Sequence, residues 1–286
     1  MMNIGEKIKN LRTSKLMTQK ELAGDVITRN MLSRIENGAA LPSLQSLIYL
    51  ANRLGVQPGY LLSDGDANEM YYKKYANYPN IISSFKSEEW EICRDLCLSC
   101  YADGSDNEIT YMLAYAAYHI GCSGFYHGEL KKAAKMFEEA LEYSALTVFD
   151  VGSIVSCIKT QVEFMSKISP TLTIDVPNSD SASVCLCDIC KFSDCFMGIK
   201  SYKDLEWSNV NYHHALVAID MVDNGNYEAA IGLLSQICED NSLPKPIIYF
   251  ILDDLEKSCK ETEDYKGAYE VSQNKLQLFE KMLADA

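Results

Sequence analysis

Apolar and polar positions follow helical spacing almost from the first residue. Ile4, Ile8 and Leu11 form one stripe through IGEKIKNLRTSK, with lysines and arginine on the other face, and predict a first helix. Thr18, followed three residues later by Glu21, is a capping box: the hydroxyl accepts from a free backbone N–H and the carboxylate reaches back. A second helix therefore starts at Thr18 and is expected to bury Leu22 and Val26. Thr28 caps a third, RNMLSRIEN, in which Leu32 and Ile35 share a face, and Gly38 after Asn37 supplies a left-handed stop. Pro42 and Ser43 restart the chain. Leu44, Leu47, Leu50, Ala51 and Leu54 make the stripe of a fourth helix ending at Gly55, and PGYLL adds a short fifth turn.

After a polar connection, SDGDANEM, the pattern stays helical with few strand signals. A repeat emerges from the small-aromatic-small signature of a tetratricopeptide helix. Ala133, Phe137 and Ala140 have this spacing within KKAAKMFEEALEY, and Gly121 stands twelve residues before Ala133. Ala230, Leu234 and Ile237 occupy the same places in NGNYEAAIGLLSQI, and the segments around Ala268 and Cys93 are degenerate relatives. Small residues let paired helices approach closely, and the larger apolar residue fills the groove between neighbours. About five helical hairpins are predicted, over 68–104, 106–147, 148–198, 203–242 and 245–282. The third lacks the signature and contains SPTLTIDVPNSDSAS, 169–183, expected to be an exposed loop.

The segment QKELA, the run SRIENG, the PSL start of the fourth helix and LANRLGV after it together resemble the lambda-repressor and Cro-like helix-turn-helix domains of bacterial regulators. The resemblance covers roughly the first 63 residues. It departs in one place: from Ala23 to Leu32 the chain is a residue shorter than the commonest spacing and lacks the usual turn glycine, as in PlcR-like members. The expected organisation is all-α: a helix-turn-helix domain over 1–63, a linker over 64–70, and a tetratricopeptide-like right-handed superhelix over 71–286.

Arg29 and Asn30 open the third helix and Arg34 follows one turn on, so all three are expected to point into a major groove. Arginine matches the O6 and N7 acceptors of guanine, and asparagine matches adenine. Ser33 is placed at a phosphate, and backbone N–H groups at the helix starts, Thr28 among them, favour anionic oxygens. The resemblance implies that Gln19 contacts phosphate or the outermost base, and that Arg12 and Glu36 form a structural ion pair.

Charge separates the chain into two parts. Through Ser63 there are eight Lys and Arg against four Asp and Glu, a formal +4, so the remainder carries −18 within a total of −14. The basic lobe is the part that would face phosphates. The opening MMNIGEKIKN is charged, and no window approaches about 18 uninterrupted apolar residues, so neither signal peptide nor membrane span is expected and the protein is read as cytoplasmic. Eleven cysteines, an odd number without an export signal, are read as reduced thiols.

A DNA reader followed by tetratricopeptide-like hairpins is similar to the RRNPP group of quorum-sensing regulators, which includes Rgg-like and PlcR-like proteins. That resemblance implies a homodimeric transcription factor whose partners are operator DNA and a short signalling peptide bound by the helical array. Candidate peptide contacts on first helices of hairpins are Tyr111, Tyr115 and Tyr118, and Asn209, Asn211 and Tyr212, although tyrosines at such spacing also pack helices together. Cys185, Cys187, Cys190 and Cys195 lie within eleven residues, but no glycine or proline shapes them into a knuckle and cysteine also behaves as a small hydrophobe. No metal and no cofactor is expected. No Walker loop, dinucleotide fingerprint, G-x-S-x-G or H-E-x-x-H is found, so an enzyme is not expected. Two alternatives stay open: a repressor or antitoxin-like regulator whose array only oligomerises or binds proteins, and a cysteine-based metal or redox sensor.

Overall fold

The computed structural model describes residues 3–63, 66–100, 106–177, 187–203 and 205–284. These form helices and no strand among the described residues, and divide into two units, 1–109 and 110–286. In the first unit, α1 (Ile4–Ser14), α2 (Gln19–Ala23), α3 (Arg29–Glu36), α4 (Leu44–Leu54) and α5 (Pro58–Leu62) enclose a core of Ile8, Leu22, Leu32, Ile35, Leu47, Leu50, Leu54 and Leu61. Caps set the boundaries. Thr18 N donates to Glu21 Oε2 at 2.7 Å while Glu21 N donates to Thr18 Oγ1 at 3.2 Å, and Gly38 and Gly55 take the left-handed conformation after α3 and α4. A second capping box, Asn3 with Glu6, starts α1.

Three expectations for this unit need correction. Val26 is 57% exposed rather than buried, because α2 ends after five residues and Ile27 packs against the core instead. Leu44 is 70% exposed: it sits in the first turn of α4, beyond the edge of the core that Leu47, Leu50 and Leu54 fill. Lys7 is buried rather than solvated. Its ammonium donates to the carbonyls of Tyr60 and Ser63 and to the Ser63 hydroxyl, closing the C-terminus of α5 onto α1.

Of the expected linker, residues 64 and 65 lie outside the described residues, and 66–70 already belong to α6 (Asp66–Lys86). With α7 (Trp90–Cys100) it forms a hairpin inside the first unit. The second unit continues with α8 (Asn107–His127, from Thr110 on) and α9 (Leu130–Leu146), then α10 (Gly152–Ile168) and α11 (Asp188–Phe196), α12 (Val210–Asp223) and α13 (Tyr227–Asp240), and α14 (Lys245–Glu261) and α15 (Tyr265–Leu283). The five pairs fall where the five hairpins are expected. The signature positions face inward: Ala133, Phe137, Ala140, Ala230 and Leu234 are fully buried. A Cβ built on Gly121 would stand 2.6 Å from the Phe137 ring, so α8 approaches α9 at a distance that glycine alone allows.

The third pair is the irregular one. Of the loop expected to be exposed, 178–183 lies outside the described residues, and the preceding part is not wholly exposed. Pro170–Leu172 makes a 3-10 turn with Leu172 buried, and Ile174 and Val176 pack against the core, alternating with outward Thr173 and Asp175.

Candidate nucleic-acid interface

The turn between α2 and α3 sets how the third helix is presented. Gly24 has φ +53°, and a Cβ there would collide with the Tyr49 hydroxyl on α4. A side chain would therefore be strained twice, by backbone conformation and by contact. Gly24, directly after the end of α2, thus makes the turn in this shortened connection, which lacks the glycine usual at the family's turn position. Thr28 then caps α3, its hydroxyl accepting from Met31 N at 3.2 Å.

Leu32 and Ile35 anchor α3 in the core and leave the opposite face to solvent. On it Arg29, Asn30 and Arg34 are exposed, with Ser33 half-buried between them. None of the three exposed side chains makes a hydrogen bond or ion pair among the described residues. Asn30 and Arg34 lie four residues apart, one above the other, and Arg29 and Ser33 form the adjacent row. Two positive charges and an amide thus extend from one face with their donors unengaged.

Behind that face lies a buried polar knot. Glu36, with 2% of its side chain exposed, accepts from Arg12 Nε at 2.6 Å, Arg12 Nη2 at 3.1 Å and Gln19 Nε2 at 2.8 Å. Arg12 Nη1 also donates to the Met17 carbonyl at 2.8 Å. The hydrogen bond to Glu36 holds the guanidinium above its ordinary range against the opposing effect of burial. The pair ties α1 to the last turn of α3. Gln19, expected at the DNA, has its amide nitrogen in this knot. Its second amide N–H and its carbonyl remain for an outward contact, and the bond to Glu36 is a link that the sequence pattern did not disclose.

The candidates in the second unit separate into two groups. Tyr111, Tyr115 and Tyr118 run along α8, half-buried: the Tyr111 ring lies 5.7 Å from Tyr115 and 5.5 Å from Phe149, and Tyr115 lies 6.4 Å from Tyr118. Burial, and then the neighbouring Cys122 and Cys157 thiols, push the Tyr118 phenol up. Tyr212 is buried and stacked on Trp207 at 6.0 Å, its phenol likewise pushed up by burial and then by Asp188. Asn209 N donates to Asp188 Oδ2 at 2.8 Å and its Nδ2 to the Ser242 carbonyl at 3.0 Å. The Asn211 amide donates to Asp240 and Ser242. These two asparagines tie the start of α12 to the last residue of α13 and the segment that follows it. Of the cysteine run, Cys185 lies outside the described residues, Cys187 caps α11, Cys190 sits in its first turn and Cys195 near its end.

No helix among the described residues is long and apolar enough to cross a membrane. No curated protein sequence matches the chain. Among solved structures it is similar to PlcR from Bacillus thuringiensis in complex with the peptide PapR7 and DNA, at 16% identity, 100% of each chain covered and a TM-score of 0.26. ComR from S. thermophilus, in complex with DNA and its signalling peptide ComS, is 18% identical over 96% of this chain and 99% of its own, with a TM-score of 0.25. A PrgX/iCF10 complex is 13% identical over 99% and 96%, with a TM-score of 0.21. Residues 8–61 match the family model described as Helix-turn-helix. The N-terminal unit therefore carries a helix-turn-helix domain.

Proposed function

We propose that this protein is a cytoplasmic, sequence-specific DNA-binding transcriptional regulator that acts as a homodimer and whose C-terminal hairpins bind a short signalling peptide. The observation that carries the DNA-binding part is the outward face of α3, where Arg29, Asn30 and Arg34 stand exposed without partners among the described residues on a helix whose other face is locked in the core. Arg34 and Arg29 are assigned to guanine edges, Asn30 to adenine, and Ser33, Thr28 and the open side of Gln19 to phosphate or the outermost base. Arg12 and Glu36 belong to the scaffold that aims them. A dimer would address two half-sites about 34 Å apart, and a peptide that changed the spacing of its heads would change affinity.

On the C-terminal unit, the peptide is assigned to the aromatic row of Tyr111 and Tyr115 with Phe149, which is 48% exposed beside Val148 at 80%. Aromatic rings at a surface offer pockets for the apolar side chains of an extended peptide. Asn209, Asn211, Tyr118 and Tyr212 are assigned to shaping the hairpins around that row.

The test is selection of duplexes from a random pool by the full-length protein, followed by binding to the enriched sequence at fixed salt. Arg34→Ala is expected to cost about 1–3 kcal/mol of specific binding and to relax preference at one base position. A protein that enriches no sequence, alone or with short-peptide pools, contradicts the proposal. For the peptide part, a ligand from such a pool is expected to raise the melting temperature of the native chain and not of a Tyr111→Ala, Tyr115→Ala variant.

A further inference from the structure

Cys157 on α10, Cys187 at the cap of α11 and Cys190 in its first turn bring three sulfur atoms to within 4.8 Å of one another. Cys157 Sγ and Cys187 Sγ are 3.5 Å apart. We propose that these three sulfurs form a thiolate site for a thiophilic d10 cation, Zn(II) or Cu(I). Sulfurs that share one such ion at about 2.3 Å each lie roughly 3.8–4.0 Å from one another, so the observed grouping accepts an ion with side-chain adjustment alone.

The surroundings suit anionic sulfur. Gln161, one turn after Cys157 and fully buried, directs its Nε2 at Cys157 Sγ (3.4 Å) and at Cys122 Sγ on α8 (3.2 Å). Amide N–H groups aimed at sulfur are the outer hydrogen bonds that orient thiolate ligands and favour their charged form. Among the described residues the buried Gln161 Oε1 atom has no hydrogen-bond partner, so the contacts this amide makes there are those of its nitrogen. Cys187 and Cys190 also lie at the start of a nine-residue helix, where backbone N–H groups favour negative charge. Three thiolates in so enclosed a place require a cation; without one they stay protonated and merely fill space.

The two metals make different demands. Cu(I) is satisfied by three sulfurs in a plane, whereas Zn(II) seeks a fourth ligand, a place assigned to Cys122, whose sulfur accepts from the same Gln161 amide as Cys157. Either ion would fasten the start of α11 to α10 across a connection that includes the irregular segment after Ile168. The site does not rest on the DNA or peptide assignments, while Cys122 and Cys157 stand beside Tyr118.

The test uses the reduced, metal-stripped full-length protein titrated with Zn(II) and, separately, with Cu(I) under anaerobic conditions, each against a chromophoric chelator, and with Co(II) as a spectroscopic probe. One equivalent of Zn(II) or Cu(I) is expected to bind, and Co(II) is expected to give intense near-ultraviolet sulfur-to-metal absorption in the unaltered protein. Cys187→Ser, at a half-buried position that tolerates the change, is expected to weaken binding by more than about a hundredfold, and Gln161→Met by about tenfold. Cys122→Ser is expected to weaken Zn(II) binding and to spare Cu(I). Cys238→Ser, on α13, leaves both unchanged. Absence of stoichiometric binding by the reduced protein, binding by Cys187→Ser equal to the unaltered chain, or a Cys157–Cys187 disulfide in a protein that takes no metal when reduced would each overturn the proposal.

Discussion

Replacing Arg12 by alanine tests whether the buried ion pair, rather than the apolar core alone, holds the helix-turn-helix domain. Glu36 is almost completely enclosed and accepts three side-chain hydrogen bonds, two of them from Arg12. Arg12→Ala removes those two and the bond to the Met17 carbonyl, leaving a buried carboxylate with Gln19 alone. Stranding one member of a buried pair costs about 3–5 kcal/mol, a large share of the roughly 5–15 kcal/mol that holds an ordinary domain. Hydrogen exchange of the α3 and α4 amides in the full-length chain measures this directly, because local opening of the first unit is read separately from the second. Amides at Leu32, Ile35 and Leu50 are expected to lose protection by that amount at neutral pH. The double variant Arg12→Met, Glu36→Gln should recover much of the loss, as both charges are gone. A loss below about 1 kcal/mol for Arg12→Ala would refute the reasoning and reduce the pair to a surface contact.

Three further changes probe the second unit. Gly121→Ala places a methyl 2.6 Å from the Phe137 ring and is expected to cost about 1–3 kcal/mol in urea denaturation, partly recovered by Phe137→Leu; an unchanged midpoint would mean that α8 and α9 are not closely apposed. Asp254 is raised to about 6 by burial and by Asp223, so it favours the fold below its ordinary value near 3.8 and works against it as pH rises through about 6. Asp254→Asn should therefore leave stability near pH 4 unchanged and add about 1–2 kcal/mol at pH 7, after discounting for solvent screening of this partly exposed group; a melting temperature equally shifted at both pH values would refute the assignment. Removing Zn(II) or Cu(I) from a loaded protein with chelator should lower its melting temperature, and Cys187→Ser should abolish that difference.

How much could be known from the chain alone varies with the range over which each signal acts. Thr18 with Glu21, Thr28, Gly38 and Gly55 act within a turn of themselves, and each marks a helix end where expected. The repeat signature around Ala133 and Ala230 is equally local, so the hairpins could be counted in advance. Val26 and Leu44 obey the helical period yet are exposed, because whether an apolar stripe is covered depends on where the neighbouring helix ends. Lys7 shows the reverse: a lysine on the polar face is buried because the carbonyls closing α5, more than fifty residues away, need its donors.

The candidate sites divide the same way. Arg29, Asn30 and Arg34 could be picked out because their spacing and their position after a cap are sequence properties. That Gln19 spends its amide nitrogen on Glu36, or that Tyr212 is stacked inside the core, could not. The sulfur trio is the clearest case. The run from Cys185 to Cys195 offered no convincing ligand geometry, and the third sulfur comes from Cys157, thirty residues before Cys187, brought there by the packing of α10 on α11.

By itself, then, the amino-acid order determined the helices, their caps, the paired hairpins and the arginine-bearing face, since each follows from interactions among residues within a few turns. Tertiary structure alone decided which apolar residues found cover, which polar groups were absorbed into buried networks, and which thiols met. Those outcomes depend on contacts between distant segments, and their free energy exists only once the intervening chain has been ordered.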